Sequence, residues 1–211
     1  MRTKVLFMSL VLGCLWSCQQ DETIEQTDGQ TIKFTSVVIG DETLSRASGS
    51  TSIDVISMRT ELDDKFTVFD LKKDTRSWGE FSKKSEVFFY AHYPRLPESV
   101  ASNETRVLEG GTNDYLFGKA KAVAGQQQVC LQFKRVMAPL IVEVLDGDGR
   151  SYQGDIEVSA LIKNKGVQNL KDGSIVILDE KKYTAFNRFD NGVKQALNLL
   201  PQRIEKGTPF Q

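Results

Sequence analysis

Between Thr31 and Leu200 the chain alternates apolar and polar residues with a period of two, and nowhere does it hold the three-to-four spacing of an amphipathic helix. Ile32, Phe34, Ser36 and Val38 fall on one side of the first such run and Lys33, Thr35, Val37 and Ile39 on the other, until Gly40-Asp41 breaks it. The run is rich in β-branched residues and predicts a strand with one core face. Alternation resumes over Ile53–Met58 and again over Phe66–Leu71, two strands that Asp63-Asp64 would join as a hairpin. Glu86–Tyr93 is the most strand-like run and predicts a central strand, stopped by Pro94 and Pro97. Further strands are predicted at Val129–Phe133, Leu140–Leu145 after the kink at Pro139, Ile156–Ile162, Ser174–Leu178 and Ala196–Leu200, with a short apolar segment at Asp114–Gly118. Ser99–Gly111 reads as loop around a short Arg106-Val107-Leu108, and Asp41–Ser52 as a small polar loop with Arg46 in its middle. Trp78 and Phe81 stand in a lysine-rich connection and would anchor it to the core. Many short strands punctuated by Gly, Asn and Asp predict an all-β sandwich or barrel. No repeat of 20 to 50 residues is visible, which argues against a propeller or solenoid.

The first residues follow a different pattern. Arg2 and Lys4 precede an apolar run, Val5–Gly13, that is shorter than the ~20 residues a membrane-spanning helix needs. That is the form of a secretory signal. Leu15-Trp16-Ser17-Cys18 resembles the lipobox of bacterial lipoproteins, in which the cysteine thiol is acylated and becomes the new N-terminus. Cys14 also follows acceptable residues. Cys18 is preferred because it stands where apolar sequence gives way to Gln19-Gln20-Asp21-Glu22. The acidic stretch from Asp21 suits a flexible tether, and it also resembles the surface-export signal of lipoproteins in Bacteroidales.

Composition narrows the picture. Of 211 residues 40% are hydrophobic and 26% charged, with a formal net charge of -1, as in an ordinary globular protein with a sizeable core. No basic patch points to nucleic acid, and no later apolar run of ~18 residues points to a second membrane segment. After Cys18 only Cys130 remains, so an exported chain forms no internal disulfide and relies on packing.

Taken in order, the leader ending at Cys18, Ile32-Lys33-Phe34, Ser45-Arg46-Ala47, Phe88–Pro94, Asp114–Ala120, Val129–Arg135 and Leu200-Pro201-Gln202 resemble the fimbrillin family of Bacteroidales, the subunits of type V pili. The resemblance implies transthyretin-like β-sandwiches in tandem. It implies a signal peptide over 1–17, a lipid tether and removable strand over 18–46, an N-terminal β-sandwich over 47–146 and the start of a second, incomplete β-sandwich over 147–211. It further implies an outer-membrane lipoprotein at the cell surface or in the fimbrium, held through lipid on Cys18. A trypsin-like protease would cut between Arg46 and Ala47. A strand of a neighbouring pilus subunit would then fill the groove left by Ile32, Phe34 and Val38. With the chain stopping at Gln211 no terminal donor strand is identified, so either the sequence is truncated or this is a short relative, an accessory or tip subunit that accepts a strand without donating one.

Single residues give little chemistry. His92, the one histidine, sits in an aromatic strand and reads as a core or edge residue, and Cys130 reads as a small buried or half-buried one. No metal site, cofactor site or catalytic constellation is predicted, and Asp146-Gly147-Asp148-Gly149 reads as a turn because it lacks the later ligands of a calcium loop. Two functions follow: a structural or adhesive pilus subunit matured at Arg46, or a lipid-anchored binding module for a host glycan or protein that uses exposed aromatics such as Trp78.

Overall fold

The computed structural model describes residues 29–39, 53–81, 84–98, 100–111, 113–140, 145–150, 157–188, 197–204 and 206. The first half of the chain supplies β1 (Thr31–Val38), β2 (Val55–Thr60), β3 (Thr67–Asp70), β4 (Arg76–Ser77), β5 (Glu86–Tyr93), β6 (Thr105–Glu109), β7 (Leu116–Val123), β8 (Gln128–Arg135) and β9 (Ala138–Leu140). The second half adds β10 (Glu157–Lys163), β11 (Lys165–Asn169), β12 (Ile175–Ile177), β13 (Lys181–Arg188) and β14 (Leu197–Leu199). One 3-10 turn, Trp78–Phe81, is the sole helical element among the described residues. The all-β expectation holds.

Seven strands form one curled sheet in the order β3-β2-β5-β7-β8-β1-β4. The hairpin through Asp63-Asp64 pairs β2 with β3, and β5 is a central strand between β2 and β7. Alternate residues from the sheet strands meet in a single apolar cluster that includes Ile32, Phe34, Ile56, Met58, Phe69, Phe89, Leu131 and Phe133. Trp78 and Phe81 close it, each almost fully buried. Their rings meet edge to face, and the Trp78 indole N–H donates to the Gln126 carbonyl at 2.9 Å. The predicted anchor is therefore present. Burial also removes Trp78 as an exposed ligand-binding aromatic, and that expectation is corrected.

Strand β7 runs well past the short segment expected at Asp114–Gly118. Its inner face continues through Gly118, Ala120 and Ala122, residues too small to announce a strand. They are small because large neighbours lie over them: a Cβ on Gly118 would come within 2.7 Å of the Phe133 ring, and Ala120 lies opposite Phe89 in the register. Strand β11 shows no apolar alternation for a similar reason, since its buried positions are Gly166 and Gln168.

A second layer is built from the three-stranded sheet β12-β11-β6 and the pairs β14-β9 and β10-β13. Two of these pairings, β6 with β11 and β9 with β14, join strands that precede position 146 to strands that follow it. Smaller apolar clusters form beneath them, one around Leu108, Val136, Met137 and Leu200, another around Ala160, Ile162 and Leu199. The Asp146–Arg150 segment is a turn, as expected, with the Asp146 carboxylate accepting from the Asp148 and Arg150 amides and Gly149 at a φ of +78°.

Candidate functional site: an inserted strand and the layers around it

Strand β1 is set into the sheet in an unusual way. Every other neighbouring pair in the seven-stranded sheet is antiparallel, whereas β1 runs parallel to β8, with Lys33–Val38 facing Gln128–Phe133. The Lys33 amide donates to the Gln127 carbonyl at 2.9 Å and the Ile39 amide to that of Phe133 at 2.8 Å, closing the ladder at both ends. On its other edge, among the described residues, β1 meets only the two residues of β4, Thr31 facing Ser77 and Ile32 facing Arg76. From Lys33 onward it is therefore, among the described residues, joined to the sheet on one side.

The side chains fasten what the backbone leaves loose. Ile32 is 0% exposed and Phe34 4%. The Phe34 ring stands edge-on to Phe69 at 5.3 Å and to Phe89 at 4.9 Å, both favourable aromatic geometries. Val38 is half-buried against the same cluster, while Lys33, Thr35 and Val37 face solvent. All three residues expected to fill a groove thus lie on the core side of β1. Cys18, Arg46 and Ala47, together with Cys14, lie outside the described residues.

His92 is buried on the opposite face of the sheet, between it and the second layer. Its Nε2–H donates to the Leu170 carbonyl at 2.8 Å, which leaves Nδ1 as a bare, unpartnered acceptor. Burial lowers its pKa to about 4, and the nearby Arg106 and Arg59 guanidinium groups push the same way, against the raising effect of the Leu170 bond. An imidazole held neutral this way is a packing element.

Two arginines pack beside it. Arg106 donates from Nε and Nη2 to the Gln168 Oε1 atom, at 3.2 and 2.6 Å, and from Nη1 to the Pro94 carbonyl at 3.2 Å. Its guanidinium lies 4.6 Å from the Tyr115 ring centroid, and burial lowers its pKa to about 10. Arg59 sits over Tyr90 at 4.5 Å and donates to the Thr60 and Lys171 carbonyls. Lone arginines on strands carry no sequence signal of such pairing. Gln202, at the end of the Leu200-Pro201-Gln202 motif, stitches the C-terminal segment to β10 by accepting from the Lys163 amide at 3.1 Å and donating to the Lys163 carbonyl at 2.5 Å.

Cys130 departs from expectation. In β8 the residues Val129, Leu131 and Phe133 point inward, so parity sends Cys130 outward, where it is exposed. Three lysines and three half-buried aromatics share that outer face, on the strands β5, β7 and β8: Phe88, Tyr90, Phe117, Lys119, Lys121 and Lys134. Lys119 lies 4.9 Å from the Phe88 centroid and 5.4 Å from that of Tyr90.

Known proteins share this chain's features. A family profile described as fimbrillin-like matches residues 36–210. A search of curated proteins finds no match. Among solved structures, a candidate cell adhesion protein of Bacteroides thetaiotaomicron is 35% identical with a TM-score of 0.63, over 84% of this chain and 78% of that one. Candidate cell adhesion proteins of Bacteroides uniformis and Bacteroides ovatus share the fold at 15% and 14% identity. Their TM-scores are 0.57 and 0.59, over 74% and 86% of this chain and 72% and 82% of theirs.

Proposed function

The chain belongs to the fimbrillin-like family, and from that premise we propose that it is a subunit or accessory adhesin of a cell-surface pilus, assembled by exchange of β1 for a strand of a neighbouring subunit. On this reading the protein is structural rather than catalytic. It is exported to the outer membrane as a lipoprotein acylated on Cys18, and a trypsin-like protease cuts it between Arg46 and Ala47. That cut falls after β1 and before β2, so it frees β1 without touching the remaining six strands of the sheet.

The placement of β1 is the observation that carries the reading. A strand bonded to the sheet mainly along one edge, yet holding two fully inserted apolar side chains, is what a replaceable strand requires. Its departure would bare the β8 edge and the pockets of Ile32 and Phe34, and an incoming strand satisfies both at once. Reburial of two such side chains is worth ~1.5–3 kcal/mol each before any backbone pairing.

The test is mass spectrometry of sheared pili and outer membranes from cells making the wild type or Arg46→Ala. The expected wild-type pilus protein begins at Ala47, while Arg46→Ala keeps lipid on Cys18 and stays monomeric. Assembly undiminished by the substitution would refute maturation at this site.

A further inference from the structure

We propose that the outer face of β5, β7 and β8 is a binding site for an acidic carbohydrate, one that carries carboxylate or sulfate groups. This goes beyond pilus assembly and does not depend on it, since none of the three strands is the one exchanged.

A shallow trough of about 640 Å³ lies on this face, lined by Phe88, Phe117, Lys119, Lys121, Gln132 and Lys134 among others. That volume is within the range of small-ligand sites. Its charge is segregated. The chain as a whole has 27 basic and 28 acidic residues, yet the trough holds three lysines, and the one carboxylate they engage is that of Glu86, paired with Lys121. Lys119 and Lys134 have no carboxylate partner among the described residues. A patch of one sign on a nearly neutral protein raises the local concentration of ligands of the other sign.

The apolar part of the trough points to a sugar. Phe88 and Tyr90 on β5 flank the Lys119 ammonium, and Tyr90 stacks with Phe117 at 6.5 Å. Pyranose rings present flat patches of C–H bonds that lie on aromatic rings, and their hydroxyls suit amides such as Gln132. In the register Tyr90 faces Lys119 and Lys119 faces Gln132, so ring, cation and amide form one row across three strands. The Tyr90 ring is itself covered by Arg59 at 4.5 Å, so a saccharide laid in the trough would meet Phe88, Lys119 and Gln132. In the uncleaved chain a peptide has no equivalent access, because with β1 in place β5, β7 and β8 are each paired on both sides and offer no free edge for strand addition.

The experiment is calorimetric titration of the full chain with sulfated heparin-derived oligosaccharides, with uncharged dextran oligosaccharides and with polyglutamate as a sugar-free polyanion. Binding of the sulfated sugar alone is expected. The double substitution Lys119→Gln with Lys134→Gln, both exposed and harmless to folding, should weaken it about tenfold or more. Phe88→Ala should weaken it further, and Lys72→Gln with Lys73→Gln on another surface should leave it unchanged. Polyglutamate binding as tightly as the sugar would overturn the proposal in favour of an acidic protein partner. Absence of sulfated-sugar binding, or indifference to the Lys119 and Lys134 substitutions, would overturn it outright.

Discussion

Replacing Phe34 by Ala asks how firmly β1 is held. The ring is 4% exposed and packs edge-on against both Phe69 and Phe89, so the truncation removes buried aromatic surface and leaves a cavity that two rigid rings cannot readily fill. Substitutions of this kind cost ~3–5 kcal/mol, of which each edge-on pair accounts for about 0.5–1.5. Against a native stability of ~5–15 kcal/mol that is a large fraction. For a domain of this size it corresponds to a fall in Tm of about 6–20 °C, at roughly 2–4 °C per kcal/mol. Denaturant unfolding of the uncleaved chain reads the global loss, and hydrogen exchange locates it. The Lys33 and Ile39 amides, which donate to Gln127 and Phe133, should lose protection before the amides shared by β5 and β7. Thr35→Ala, on the solvent side of the same strand, supplies the control and should cost less than ~0.5 kcal/mol. A loss below ~1 kcal/mol for Phe34→Ala, or exchange that rises uniformly through the sheet, would refute the view of β1 as a separately seated strand.

Two further substitutions test the second layer. His92 has a folded pKa of about 4, below its ordinary 6.5, so between those values the unfolded chain binds a proton that the folded one does not. Stability should therefore fall as pH drops from 6.5 to 4, by about 3 kcal/mol in all, and His92→Gln should flatten that slope in urea midpoints taken across the window. An unchanged slope would count against it. Gly173 has a φ of +77°, and an added Cβ would lie 2.5 Å from the Phe117 ring, so Gly173→Ala should cost ~1–3 kcal/mol. Gly111→Ala, whose Cβ would meet nothing within 4 Å, should be near neutral, and equal midpoints for the two variants would disprove the argument.

Wherever a strand buries one face with large side chains, its alternation was legible. That holds for β1, β2, β5 and β8, where Ile32, Phe34, Met58, Phe89, Leu131 and Phe133 recur at every second position. It fails where burial is achieved by small or polar residues. The inner face of β7 is Gly118, Ala120 and Ala122, and β11 buries Gln168 because Arg106 satisfies its amide oxygen. The core-facing side of β1 was readable from parity alone. The trough on the outer face was not, because its residues come from three strands whose adjacency depends on pairing.

The sequence by itself determined that the chain is built of strands, which side of β1 faces the core, and, through the order of its motifs, the family to which it belongs. Those properties are local, set by a two-residue repeat and by short runs whose meaning does not change with context. Only the tertiary structure decided that β1 lies parallel to β8 at the side of the sheet, that strands before and after position 146 pair with one another, and that Lys119, Phe88 and Gln132 share one surface. Each of these is a long-range choice among pairings of similar local preference. It is settled by which large side chain fits over which small one, as Phe133 does over Gly118.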